Sequence, residues 1–213
     1  MIDSKWDHRF MRLAYEISTW SKDPSSKIGA VIVNDERRIL ATGYNGFPRG
    51  IADTDERLND REQKYPRIVH GEMNALMNAL YSGVSVKDAT IYVYGLPVCS
   101  ECTKSVIQAG IKRVVITYTE LAPEKWQTQW NDMSRPMYAE ANVSITYMNP
   151  DKLDLSSLMS NNDISKSLLN DNVYDLDPSF TDVLFLWSGV KDFISHFCLL
   201  SVSYTHLTLP TNR

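Results

Sequence analysis

A chain that carries both His70-Gly71-Glu72 and Pro97-Val98-Cys99-Ser100-Glu101-Cys102 must fold so that the two stretches meet if their side chains are to act together. Between them they supply one imidazole, two thiols and one carboxylate. Zinc takes four tetrahedral ligands, and a zinc that does chemistry keeps one of the four places for water. His70, Cys99 and Cys102 fill the other three. Apolar positions at helical spacing follow each stretch: Met73, Leu76, Met77 and Leu80 after the first, Val106 and Ile107 with Gly110 as a stop after the second. Each stretch is therefore predicted to open a helix. Helix N-termini present partial positive charge and free N–H groups, which favour thiolate over thiol. Glu72, two residues beyond His70, projects at a different angle and can face a metal-held water without binding the ion, the place of a proton shuttle. A structural zinc knuckle closed by His8 or His196 would leave Glu72 without a use, and a redox Cys-x-x-Cys would leave the His-x-Glu pair unexplained.

Such a site needs a core behind it. The 213 residues are 43% hydrophobic, enough for one main core and an extension. A formal net charge of −4 argues against wrapping nucleic acid, which requires clustered Lys and Arg, and favours a small substrate. Two of the three cysteines belong to the metal motif, so Cys198 has no partner for a disulfide framework, and a reducing cytoplasm is expected. Asp3, Lys5, Asp7 and Arg9 interrupt any signal-peptide core. Lys191, Asp192 and His196 break the apolar stretch 183–200, so no membrane span is expected.

Taken in order, Trp6, Phe10, Leu13, Ala14, Ile17 and Trp20 recur at steps of three and four after a capping candidate at Asp3 or Ser4, the pattern of a core-facing helix. Residues 28–33 and 38–44 read as a hairpin joined by Asn34-Asp35-Glu36. Gly43-Tyr44-Asn45-Gly46 reads as a tight turn in which Asn45 offers both a donor and an acceptor. Residues 51–67 are polar and aperiodic, predicting a surface excursion closed by Pro66. Residues 90–94 and 112–118 are strand-like and flank the second metal helix, which predicts a parallel pair with a crossover. Trp126, Trp130, Met133 and Met137 mark a further helix that Pro136 should kink, and 143–148 reads as a last strand. About five strands result.

His-x-Glu with a later Pro-Cys-x-x-Cys is the signature of zinc nucleobase deaminases. Several further segments, Ser21-Lys22-Asp23-Pro24, Ile28-Gly29-Ala30-Val31-Ile32-Val33, Gly43-Tyr44-Asn45-Gly46, Lys64-Tyr65-Pro66 and Gln108-Ala109-Gly110-Ile111, resemble in order the deoxycytidylate deaminases, and the likeness runs to about residue 150. Two departures stand out. Val98 occupies the place of the proline directly before the first cysteine, with Pro97 shifted upstream, and Gly71 follows His70 where the family often has alanine.

The resemblance implies a three-layer α/β/α sandwich with a mixed sheet, and hydrolytic deamination of dCMP to dUMP and ammonia, supplying dUMP for thymidylate synthesis. Catalytic Zn2+ would be held by His70, Cys99 and Cys102, with Glu72 moving protons. Asn45 is placed near the sugar, and Ser21 with Lys22 near the 5′ phosphate. The resemblance further implies a homo-oligomer, commonly a hexamer, activated by dCTP, with Mg2+ as a companion of that effector, and inhibited by dTTP. Competing expectations are a deaminase of the same fold acting on a free nucleoside, a modified purine or tRNA, and a silent zinc protein serving assembly. Glu72 counts against the silent version and the acidic balance against tRNA. Residues 1–150 are expected to form the deaminase domain and 151–200 an extension without an assigned role. Residues 201–213 are expected to form a non-biological or disordered tail, because VSYTHLTLPT resembles a translated sequencing adaptor.

Overall fold

The computed structural model describes residues 5–117, 120 and 122–153, so the extension from 154 and the 201–213 tail lie outside the described residues. A five-stranded sheet has the order β2-β1-β3-β4-β5, from β1 (Gly29–Val33), β2 (Ile39–Tyr44), β3 (Thr90–Tyr94), β4 (Arg113–Thr117) and β5 (Ser144–Met148). β1 pairs antiparallel with both β2 and β3, whereas β3, β4 and β5 run parallel. This is the mixed sheet with a leading hairpin that the sequence pattern predicts.

Because strand side chains alternate faces, each central strand feeds two cores. Ala30, Ile32, Ile91, Val93, Val114 and Ile116 pack with α4 (Gly71–Tyr81) and α5 (Ser100–Gln108), and with Trp130 and Tyr138. Val31, Val33, Tyr92 and Val115 pack under α1 (Lys5–Thr19). Helices thus cover both faces, the three-layer α/β/α arrangement. It also explains why the inner strands are apolar almost throughout.

The sequence pattern misassigns several side chains. Trp20, expected in the first helix's core face, lies beyond the helix end and is 56% exposed, edge-on to Tyr44. On α4 the buried face is Glu72, Ala75, Leu76 and Ala79, while Met77 and Leu80 point outward. The cause is a close backbone approach. A Cβ on Gly43 of β2 would stand 2.2 Å from the Ala75 nitrogen, so only small residues fit where α4 meets the sheet.

The 51–67 excursion contains two short helices, α2 (Asp55–Asn59) and α3 (Arg61–Lys64), capped by the side chains of Thr54 and Asp60. It also buries Leu58 and Lys64, so it is not merely a surface feature. After β4 the chain runs through α6 (Glu124–Gln129), a π-helical turn (Trp130–Ser134) and α7 (Arg135–Glu140). Pro136, which lacks an N–H and crowds the carbonyl four residues back, falls directly after the wide turn. Trp130, Ser134 and Tyr138 form its buried face, and Met133, expected there, is exposed.

Candidate metal centre

His70 and Cys99 are the N-cap residues of α4 and α5, both with extended backbone, so each motif does open a helix. α4 and α5 pack side by side, and the two N-termini meet. His70 Nδ1 lies 3.3 Å from Cys99 Sγ and 3.5 Å from Cys102 Sγ. All three ligand atoms fall within 4.8 Å of one another. Zinc–sulfur bonds of about 2.3 Å and zinc–nitrogen bonds of about 2.0 Å at tetrahedral angles place nitrogen and sulfur about 3.5 Å apart, so this donor set fits zinc almost without adjustment.

Electrostatics fit as well. The hydrogen bond from the Cys102 thiol, and after it that of His70, lowers the Cys99 pKa toward thiolate, the form in which a cysteine binds zinc. The hydrogen bond to Cys99 raises the imidazole pKa of His70. Glu72 is 3% exposed, and burial, with the nearby Cys99 charge adding to it, pushes its carboxyl up to about 7. A carboxyl group balanced near neutrality can both take and give a proton at physiological pH.

One cavity of about 250 Å³ opens on this centre, with His70, Glu72 and Cys99 among its lining residues. Its wall includes a buried polar network. Lys64 Nζ lies 3.0 Å from Asp23 Oδ1 and donates to Ser25 Oγ at 3.0 Å, both partners of the ion pair being under 10% exposed. Asn45 also lines the cavity, but its amide is engaged: Nδ2 donates to Asp23 Oδ2 at 3.3 Å and to the Ser26 carbonyl at 2.8 Å, and Oδ1 accepts the Ile28 N–H. Arg61, Tyr65, Lys125 and Trp126 complete the exposed side.

The expected substrate contacts divide accordingly. Asn45 is at the cavity, holding the loop 21–28 against the end of the hairpin. Ser21 is buried and donates to the Asn45 carbonyl at 2.7 Å. Lys22 pairs with Asp53 at 3.0 Å in solvent, and neither Ser21 nor Lys22 lines the cavity. Among the described residues, the lysine and arginine side chains that do are Lys64, Arg61 and Lys125. Lys64 is neutralised by Asp23. Arg61 reaches only the Tyr65 hydroxyl and ring, and Lys125 only the Trp126 face, so among the described residues neither has a carboxylate partner. Sequence reasoning missed these positions although Asp23-Pro24 and Lys64-Tyr65-Pro66 were visible as segments; nothing in their spacing indicates that they meet.

The sequence profile of the cytidine and deoxycytidylate deaminase zinc-binding region matches residues 4–118. An uncharacterized deaminase from the luxG 3′ region of Aliivibrio fischeri is 35% identical over 148 residues, covering 68% of this chain and 95% of that one. The human deoxycytidylate deaminase is 43% identical over 118 residues, 52% of this chain, and the chain spans only 64% of its length. Among solved structures, the cyanophage S-TIM5 dCMP deaminase in complex with dCMP and dUMP has a similar fold, with TM-score 0.56 and 22% identity over 70% of this chain and all of the other.

Proposed function

Because the chain belongs to the family of cytidine and deoxycytidylate deaminases, we propose that it is a zinc-dependent hydrolase that converts dCMP to dUMP and ammonia and so feeds thymidylate synthesis. The observation that carries this reading is a buried carboxylate, Glu72, beside three converging ligands at the end of one cavity. His70, Cys99 and Cys102 would hold the zinc, which when bound would supply the electrophilic centre that makes water acidic enough to act as a nucleophile near neutral pH. Glu72 would take one proton from the water that attacks ring carbon C4 and deliver it to ring nitrogen N3, then take the second from the new C4 hydroxyl and pass it to the amine as it leaves. The C4–N bond breaks, a C4–O bond forms, and one carboxyl serves as base and then acid.

Arg61 and Lys125 are the cations available for a 5′ phosphate, in place of Lys22, which is committed to Asp53. Asn45, whose amide hydrogens are both engaged, shapes the sugar site by fixing the loop that carries Asp23 and Ser26. Kinship to deoxycytidylate deaminases supports a cytoplasmic homohexamer activated by dCTP with Mg2+ and inhibited by dTTP. The outward apolar side chains Leu80 and Tyr81 at the end of α4, 72% and 79% exposed, suit a subunit contact.

The test compares kcat/KM for dCMP, CMP and deoxycytidine, with and without dCTP and Mg2+, and measures mass in solution. dCMP should lead by a wide margin, because a site built for a phosphate rejects a ligand that leaves its cations unpaired. Equal turnover of deoxycytidine in every condition would replace the nucleotide reading with a nucleoside deaminase.

A further inference from the structure

The residue before the first metal cysteine is buried, and its carbonyl is held by a side chain far along the chain. Val98 is 1% exposed, and its C=O accepts a hydrogen bond at 2.8 Å from the hydroxyl of Ser134, itself fully buried. A buried carbonyl needs a partner, and here the partner comes from the π-helical turn. We propose that Ser134 is a positioning residue of the metal centre, which holds the Val98–Cys99 peptide, and through it the Cys99 sulfur, in the orientation that a proline before the cysteine would otherwise enforce.

Backbone freedom at Val98 is what such a contact has to restrain. Proline fixes its own φ at about −65°, so a Pro-Cys pair enters the helix from a restricted direction. Val98 has no such restriction. The peptide between Val98 and Cys99 is planar, so fixing its carbonyl fixes the plane from which the Cys99 side chain departs. Cys99 is the N-cap of α5, and its sulfur already accepts the Cys102 N–H at 3.5 Å. Rotation of that plane would move the sulfur away from His70 and Cys102 together.

The π turn explains how Ser134 comes to face Val98. In an α-helix a step of four residues overshoots a full turn by about 40°, so three residues spaced by four spread around the helix. A wider turn takes up that drift. Trp130, Ser134 and Tyr138, spaced by four, are all buried in consequence, with Trp130 and Tyr138 in the same hydrophobic cluster as Val98, Cys99 and Cys102. Wide turns of this kind are frequent at functional sites, and the hydrogen bond gives this one a role.

This inference rests on the zinc-site reading, and the measurements that decide it need no substrate. In the full chain, Ser134→Thr and Ser134→Val are similar in volume and differ by the hydroxyl. Zinc affinity is measured by competition with a chromogenic chelator, and the thiolate-to-metal charge-transfer band is recorded on cobalt-loaded protein. The valine variant should bind zinc 10- to 100-fold more weakly than the threonine variant, the range for losing a hydrogen bond behind the ligands, with an altered cobalt band. Its kcat should fall with KM for dCMP unchanged. Val98→Pro should recover part of the affinity lost in Ser134→Ala, a coupling that a double-mutant cycle reads directly. Equal zinc affinity and identical cobalt spectra in the two Ser134 variants would overturn the proposal even if melting temperatures differed, and a purely additive cycle would overturn the equivalence with proline. Absence of zinc binding by the unmutated chain would count instead against the metal centre itself.

Discussion

At the scale of single residues, position in the fold separates roles that residue type alone leaves open. Glu72→Gln keeps the shape of the side chain and the three ligands but cannot move protons, so zinc content and melting temperature should be retained while turnover falls by about 10²- to 10⁴-fold. Elemental analysis with an ammonia-release assay checks this, and near-normal turnover would remove Glu72 from the mechanism. Lys64 makes the opposite case. Its ammonium is buried against Asp23, and removing one member of a buried pair leaves an uncompensated charge, which typically costs about 3–5 kcal/mol. Lys64→Met should therefore lower the denaturation midpoint sharply, as read by urea unfolding. Lys22→Met, at an exposed pair with Asp53, should change stability by less than about 1 kcal/mol. The candidate ligands His70, Cys99 and Cys102 were legible because their chemistry is local and the spacing within each motif short. The Asp23–Lys64 pair was not, since the partners are far apart in sequence and each alone resembles a solvated charge.

At the scale of elements, a zinc held by His70, Cys99 and Cys102 would join two helix ends that the sheet already brings near. Cys102→Ser replaces a thiolate with a weakly acidic hydroxyl, so purified protein should carry substoichiometric zinc and unfold at a lower temperature. Metal analysis and calorimetry decide this, and full zinc loading would point to another ligand set. The seat of α4 on the sheet gives a second prediction. A Cβ at Gly43 would lie 2.5 Å from the Gly71 carbonyl oxygen as well as against Ala75, so Gly43→Ala must push the start of α4 away from β2. Overpacking of this kind costs about 1–3 kcal/mol, and because Glu72 rides on the same turn, activity should fall further than stability. Unfolding curves and dCMP turnover on the same preparation compare the two. The helix pattern on α4 misled because periodicity ranks residues by hydrophobicity, whereas a backbone approach this close selects for size. Met77 and Leu80 lost the inner face to Ala75 and Ala79.

At the scale of the whole molecule, every described residue that lines the cavity lies between Asp23 and Trp126. Removing 201–213 should therefore leave zinc content, turnover and melting temperature unchanged, and a loss in any of them would show that the tail matters. The strands along the chain, the helices that the two motifs open, the leading hairpin, the parallel crossover and the candidate ligand set were legible in the sequence alone. Each depends on period, turn residues or ligand spacing, which are short-range properties of the chain. Tertiary structure decided which cations face the cavity, that Asn45 is occupied in holding its loop, that Lys64 is buried, and that Ser134 reaches the peptide before Cys99. Those facts depend on where distant segments meet. Such meetings are set by how α1, α4, α5 and the wide-turned helix pack on the two faces of one twisted sheet, which local sequence does not encode.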